Sequence, residues 1–395
     1  MRIYADNAAT TFMSDKAIDA FKETLTNYYG NPSSLHTEGQ AAADILREAR
    51  ASIAENLGCK AENIFFTSGG SESDNQAIIS AVRFGNRKGK KHIITTAFEH
   101  HAVLHTVERL EKDGYDVTYL PVGENGIVDP DDVRNAIRGD TALVSIMYAN
   151  NEIGTIQPIA EIGKICEEKK VLFHTDAVQA VGHVKIDVDE LKVDYLSLSA
   201  HKFHGPKGIG VLYARKKAYL SPIIDGGAQE MGKRAGTENL PAIVSMAAAL
   251  KESVEGLEEN NAKVLELREK LINGLLEIPH SVLNGDRERR LAGNVNVCFE
   301  GIEGEALLLM LDMKGIAASS GSACTSGSLD PSHVLLAISR PHEIAHGSLR
   351  LSLTHYNTEE EVNRIIEVTK DVVSRLREMS PVWDDLEKGR KNHVI

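Results

Sequence analysis

The chain has 395 residues, 42% of them apolar and 26% charged, which excludes a single small core and also a disordered or fibrous protein. Length alone suggests about two domains. A formal charge of −13, with acidic and basic residues interspersed and no long Lys/Arg run, argues against nucleic-acid or membrane-surface binding.

Met1 through Asp6 includes no apolar stretch of signal-peptide length, and nowhere do about 18 apolar residues run together, so a cytoplasmic protein without a membrane span is expected. Cys59, Cys166, Cys298 and Cys324 lie far apart with no Cys-x-x-Cys pair, against a disulfide framework or a structural zinc site. A special cysteine here is special for its reactivity.

Short apolar runs at 63–67, 92–96, 143–147, 171–174, 195–199 and 208–213 alternate with helical patterns. That alternation predicts an α/β fold with a mainly parallel sheet covered by helices on both faces, and ligands gather where such strands end. After Pro241 the pattern turns helical. Val264, Leu267, Leu271, Leu275 and Ile278 share one face of a long helix that would link two domains. Strands follow near 294–299 and 350–353, and a last helix opens with the capping-box pair Thr358 and Glu361, its stripe being Val362, Ile365, Ile366, Val372 and Leu376.

Five segments could carry chemistry. Thr67-Ser68-Gly69-Gly70-Ser71-Glu72-Ser73 follows a strand and precedes a helix, where amides and hydroxyls can converge on a phosphate, although an ordinary capped turn looks the same. In His100-His101-Ala102-Val103-Leu104-His105 the second and third histidines are four apart, but the glutamate of a His-Glu-x-x-His site is missing, so no metal is expected. Asp176, just past an apolar strand, could pair with a pyridinium nitrogen or simply cap a helix. Lys202, in Ser199-Ala200-His201-Lys202 and bounded by Gly205-Pro206, could reach a cleft where desolvation suits it to Schiff-base chemistry. Cys324 lies in Ser319-Ser320-Gly321-Ser322-Ala323-Cys324-Thr325-Ser326, a composition that predicts an exposed, mobile loop. Cys298, among apolar neighbours, reads as inert.

Taken together with Tyr4-Ala5-Asp6-Asn7-Ala8-Ala9-Thr10-Thr11, Gly30-Asn31-Pro32-Ser33-Ser34, Asn150-Asn151-Glu152-Ile153-Gly154-Thr155 and Arg234-Ala235-Gly236-Thr237-Glu238-Asn239, these segments resemble the NifS/IscS-type cysteine desulfurases over nearly the whole chain. The resemblance implies a fold type I pyridoxal 5'-phosphate transferase with a large cofactor-binding domain at 15–255 and a smaller α/β domain built from 1–14 and 256–395. It implies a homodimer that takes sulfur from L-cysteine, leaves L-alanine, and passes the sulfur from a Cys324 persulfide to an iron–sulfur scaffold or a sulfur-carrier protein.

By the same resemblance Lys202 is the Schiff-base lysine and His100 stacks on the ring; the mechanism expected from these roles makes Lys202 the α-proton base and His100 the group that moves the thiol proton. Asp176 pairs with the ring nitrogen, and Asn151 and Gln179 bond its phenolic oxygen, Asn151 also orienting substrate. Gly70, Ser71, Ser199 and His201 bind phosphate, Thr237 reaches it across the dimer, and Arg350 grips the substrate carboxylate. Gly70-Ser71 departs from the family's usual Ala-Thr but keeps the hydroxyl. The Ser-Gly-rich segment around Cys324 is of the long-loop type that favours handing sulfur to another protein. Rival readings are an aminotransferase or selenocysteine lyase on the same scaffold, or a non-catalytic scaffold subunit.

Overall fold

A computed structural model describes residues 2–320 and 331–395. Its strands, in chain order, are β1 (Ile3–Tyr4), β2 (Ile64–Thr67), β3 (His92–Thr96), β4 (Asp116–Leu120), β5 (Thr141–Ser145), β6 (Leu172–Asp176), β7 (Tyr195–Ser199), β8 (Gly210–Ala214), β9 (Ser281–Leu283), β10 (Asn294–Phe299), β11 (Ile316–Ala317) and β12 (Ser348–Ser352).

Seven of them form one sheet in the order β2-β8-β7-β6-β5-β3-β4. Five neighbouring strands, β7 through β4, pair in parallel, and β8 runs antiparallel between β2 and β7. Every residue of β2, β3, β5, β7 and β8 is buried, as strands covered on both faces must be. The expected parallel sheet is therefore present. The sequence pattern misses β4, an edge strand whose residues are partly exposed and carry Asp116 and Tyr119 among the apolar positions.

The strand directions bring the C-terminal ends of β2, β3, β5, β6 and β7 to one edge. Helix Gly70–Asn86 leaves β2 there, and helix His101–Lys112 starts shortly after β3.

The C-terminal half builds a second, three-stranded antiparallel sheet in the order β12-β10-β9, and β1 pairs in parallel with β11. The helical stretch after Pro241 is two helices, Leu240–Glu255 and Leu257–Leu276, separated at Gly256. In the second, Val264, Leu267, Leu271 and Leu275 face an apolar cluster with Ile3, Ala5 and β10. Helix Glu359–Glu378 begins with both halves of its capping box in place: Glu361 N–H donates to Thr358 Oγ1 at 3.2 Å, and Thr358 N–H to the Glu361 carboxylate at 3.1 Å. A larger apolar cluster surrounds the main sheet and also takes in Leu291, Cys298, Val334 and Leu335, so packing crosses the chain position near 255. Among the described residues no helix is long and apolar enough to cross a membrane.

Candidate active site

The end of β2 opens into a cup. Gly69 has φ +149°, a conformation that L side chains rarely adopt, and a Cβ on Gly70 would lie 2.6 Å from Val178 Cγ2. The two glycines thus let the turn close against the neighbouring loop. Helix Gly70–Asn86 starts from Gly69 with no side-chain cap, which leaves the N–H groups of its first turn available to an anion. Thr10, Ser71, Ser199, His201 and Lys207 line the same concavity.

Glu72 also lines the cup, and its charge is engaged by neighbours. Its carboxylate accepts from Ser68 N–H at 2.8 Å and from Arg234 Nε at 2.9 Å. Burial pushes its pKa up, but the bonds from Arg234 and Ser68 outweigh burial and leave it lowered. His201 Nδ1 lies 3.1 Å from Thr10 Oγ1, and burial followed by the Lys202 charge brings its pKa down to about 4, so the ring is neutral at pH 7.

β7 ends at Ser199, and the single turn Ala200–Lys202 carries the lysine. Lys202 Nζ donates to the carbonyls of Ala8 and Ala9 at 2.7 and 2.8 Å. Thr11 binds the His201 carbonyl through both its N–H, at 2.9 Å, and its hydroxyl, at 3.0 Å, so residues 8–11 wrap the turn.

β6 delivers Asp176, which is 5% exposed and accepts from Val178 N–H at 2.9 Å. Atoms of Asp176, His100 and Asp74 all lie within 4.8 Å of one another. Burial and the neighbouring Asp74 push Asp176 up to about 6, opposed by His100, while burial pushes Asp74 up to about 7 and His100 down. Asp176 and Asp74 are buried side by side, so an added cation beside Asp176 would be stabilised. His100 Nδ1 accepts from Ala102 N–H at 3.1 Å and caps the following helix. In the neutral ring the proton therefore sits on Nε2.

Asp74 is a residue the sequence reading passed over. It is fully buried, with the Ser197 side chain beside its carboxylate and His174 Nε2 3.5 Å away. His174 in turn bonds Ser145 Oγ at 2.9 Å and Ser197 Oγ at 3.0 Å. Only its helical register in Gly70–Asn86 could have pointed it out, because it reaches Asp176 through space.

Arg350, on β12, donates Nη2 to Asp6 at 2.9 Å and Nη1 to the Asn151 carbonyl at 3.1 Å, which joins it to that predicted residue. Among the described residues its Nε has no partner. Gln179 Nε2 donates to the Ala8 carbonyl at 2.9 Å, sharing that oxygen with Lys202. Thr237 is exposed and is not among the residues lining its own chain's cup. Cys324 and the loop expected around it lie outside the described residues. Burial raises the pKa of the other three cysteines: Cys59 to about 12, Cys298 to about 11, and Cys166 likewise upward, so all three are protonated at neutral pH. His101 rests 4.9 Å from His105 and 4.7 Å from His333, ring centre to ring centre.

The seven-stranded sheet, with a lysine and an aspartate at its strand ends and a glycine cup beside them, defines a class. The profile of the aminotransferase class-V family matches residues 3–365, and the chain belongs to that family. It is 55% identical to the cysteine desulfurase IscS of Methanosarcina thermophila over 96% of this chain and 94% of that one. It is 51% identical to the cysteine desulfurase IscS of Clostridium botulinum strain Hall over 99% of both. Among solved structures, a NifS-like protein superposes with TM-score 0.90 at 39% identity, over 95% of this chain and 100% of the other. SspA in complex with cysteine superposes with TM-score 0.80 at 37% identity, over 91% and 100%.

Members of this family work with pyridoxal phosphate. The residues fit that group: the uncapped helix start and Gly70 offer a phosphate cradle, and Asp176 is a buried carboxylate that a protonated ring nitrogen would pair with.

Proposed function

We propose that this chain is a pyridoxal-phosphate-dependent cysteine desulfurase, converting L-cysteine to L-alanine and retaining the sulfur as a persulfide on Cys324. The observation that carries the reading is the convergence at one sheet edge of Lys202, the buried Asp176–His100 pair and the glycine cup, in a chain about half identical to proteins named cysteine desulfurase.

Bound pyridoxal phosphate supplies an electron-withdrawing ring that stabilises negative charge on the substrate's α-carbon. Around it, Gly70, Ser71, Ser199 and His201 hold the phosphate, Asp176 holds the ring nitrogen, and Asn151 and Gln179 face the ring's oxygen. Lys202 would anchor the group, and its amine is the base placed to take the α-proton. Arg350 grips the substrate carboxylate through paired hydrogen bonds, its Nε supplying an unspent donor. The Cys324 thiolate attacks the substrate sulfur. The S–S bond forms as the C–S bond breaks, and the C–S electron pair stays on the carbon, which takes up a proton to become the alanine methyl.

His100 is proposed to move the thiol proton. Because Ala102 holds Nδ1 as an acceptor, Nε2 accepts a proton only after the ring shifts its own proton to Nδ1 and gives up that bond, at a cost of about 1 kcal/mol. Thr237, exposed in its own chain, is proposed to complete the cup of a second copy in a homodimer. We also place the large cofactor-binding domain at 15–255 and the small one at 1–14 with 256–395. An iron–sulfur scaffold or sulfur carrier takes the sulfur, in the cytoplasm.

The test is a visible spectrum of the purified protein before and after L-cysteine, with alanine and protein persulfide assayed together. A coloured protein that changes spectrum and yields both products supports the reading. Formation of a 2-keto acid instead of alanine would establish an aminotransferase, and a colourless protein would indicate a scaffold subunit.

A further inference from the structure

Outside the Lys202 site, three donors from distant parts of the chain meet. His280 precedes β9, Glu300 follows β10, and His393 lies beyond helix Pro381–Glu387, yet one ligand atom of each falls within 4.8 Å of the others. His393 Nδ1 is 2.8 Å and His280 Nδ1 3.4 Å from the same oxygen, Glu300 Oε2. The two imidazoles are stacked, 3.8 Å between centres and 19° between planes. Glu300 is 4% exposed, while each histidine side chain keeps about a third of its surface open, enough for an ion to enter from solvent.

Two neighbouring observations bear on what the carboxylate is for. Arg377 runs past it but donates Nε to the Glu300 carbonyl at 3.0 Å, Nη1 to the Pro279 carbonyl at 2.8 Å and Nη2 to the His280 carbonyl at 3.1 Å. Its guanidinium stacks on Trp383 at 3.9 Å. The cation is thus tied to main-chain oxygens. Glu300 Oε1 accepts from Val394 N–H at 2.7 Å, so Oε2 is the oxygen that both imidazoles face. Four-coordinate ions with ligand bonds of about 2.0–2.2 Å place their donor atoms roughly 3.3 Å apart; the His280 separation of 3.4 Å matches, and the 2.8 Å hydrogen bond of His393 would have to open to admit an ion.

We propose that His280, Glu300 and His393 bind one divalent cation of the zinc class, with a water in the fourth position; binding would require His280 Nδ1 to give up the proton it now shares with the main-chain oxygen of Ile395. Two imidazoles and one carboxylate are a donor set for zinc, and geometry with availability favours it over magnesium or calcium, which prefer all-oxygen sites. The ion ties the segment after Pro381–Glu387 to the second sheet. The site is independent of the desulfurase chemistry.

The full-length holoenzyme, treated with chelator and desalted, is titrated with Zn2+ at pH 7.5 by calorimetry and by metal analysis after gel filtration. The titration is run in the Cys324→Ser background so that this thiol does not compete. The expected result is one Zn2+ per chain, affinity reduced by about tenfold or more in both His393→Ala and His280→Gln, and Zn2+-dependent protection of 389–395 from proteolysis in the parent only. His393 stands on a partly exposed segment, so its variant remains decisive should His280→Gln fail to fold. No Zn2+ bound by the parent, or Zn2+ bound equally by parent and His393→Ala, would overturn the proposal.

Discussion

Arg350 and Asp6 meet at 2.9 Å, with the guanidinium side chain only 4% exposed and the carboxylate 21%. A protein carboxylate already occupies part of the fork that the proposed reaction needs for the substrate's own carboxylate. Asp6 therefore both orients the arginine and competes for it.

Replacing the fork with a point charge separates those roles. Arg350→Lys is expected to raise KM for cysteine by roughly 10- to 100-fold, because lysine cannot make two parallel bonds. Asp6→Asn keeps a hydrogen-bond acceptor but removes the competing charge, so KM should fall or hold while kcat stays within a few-fold. Initial rates of alanine formation against cysteine concentration decide both; an unchanged KM in Arg350→Lys would remove Arg350 from carboxylate binding.

Lys202 and Cys324 should fail in different ways. Lys202→Ala is expected to lose the visible band of the anchored cofactor along with alanine formation. Cys324→Ser should keep that band and its response to added cysteine while forming no persulfide. Sulfide released at the normal rate by Cys324→Ser would rule out the persulfide route.

Burial raises Glu99 to about 8; its carboxylate accepts from Thr96 Oγ1 at 2.7 Å and from Met147 N–H. A carboxyl whose folded pKa lies above its unfolded value binds more protons in the folded state. Its contribution is complete below about pH 4.5 and is lost as pH rises toward 8. Buried histidines such as His174, lowered to about 4, act in the opposite direction, but only below about pH 6.5. Between pH 6.5 and 8 the unfolding free energy of the cofactor-free protein should therefore fall, by up to about 1.4 kcal/mol per pH unit from Glu99. Glu99→Gln should flatten that fall in urea titrations. A wild-type stability that rises over the same interval would contradict the assignment.

The capping box offers a check on the C-terminal half. Thr358→Ala removes the acceptor for Glu361 N–H and is expected to cost about 1 kcal/mol of stability, read as a shift in the urea midpoint without a change in slope.

Much of this arrangement was legible because it depends on strand ends. Lys202, Asp176 and the Gly69–Gly70 turn each follow an apolar run, and a parallel sheet brings such ends together. The capping box of helix Glu359–Glu378 was legible because both partners lie within one turn. Asp74 beneath Asp176, Asp6 against Arg350, and His393 against His280 were not, since each pair is made by tertiary packing between distant positions and leaves no periodic trace. β4 was missed because an edge strand with one open face lacks the continuous apolar run of its neighbours.

The pairing of β1 with β11 has a mechanical outcome. Ala5 N–H donates to the Ala317 carbonyl at 2.9 Å, and Ser319 and Arg350 exchange N–H···O bonds at 2.7 and 3.1 Å. The short N-terminal stretch that presents two carbonyls to Lys202, the clamp arginine, and the stem five residues before Cys324 are thus stitched into one rigid frame. A shift of the clamp strand is therefore expected to be felt both at Ser319 and at the carbonyls that hold Lys202.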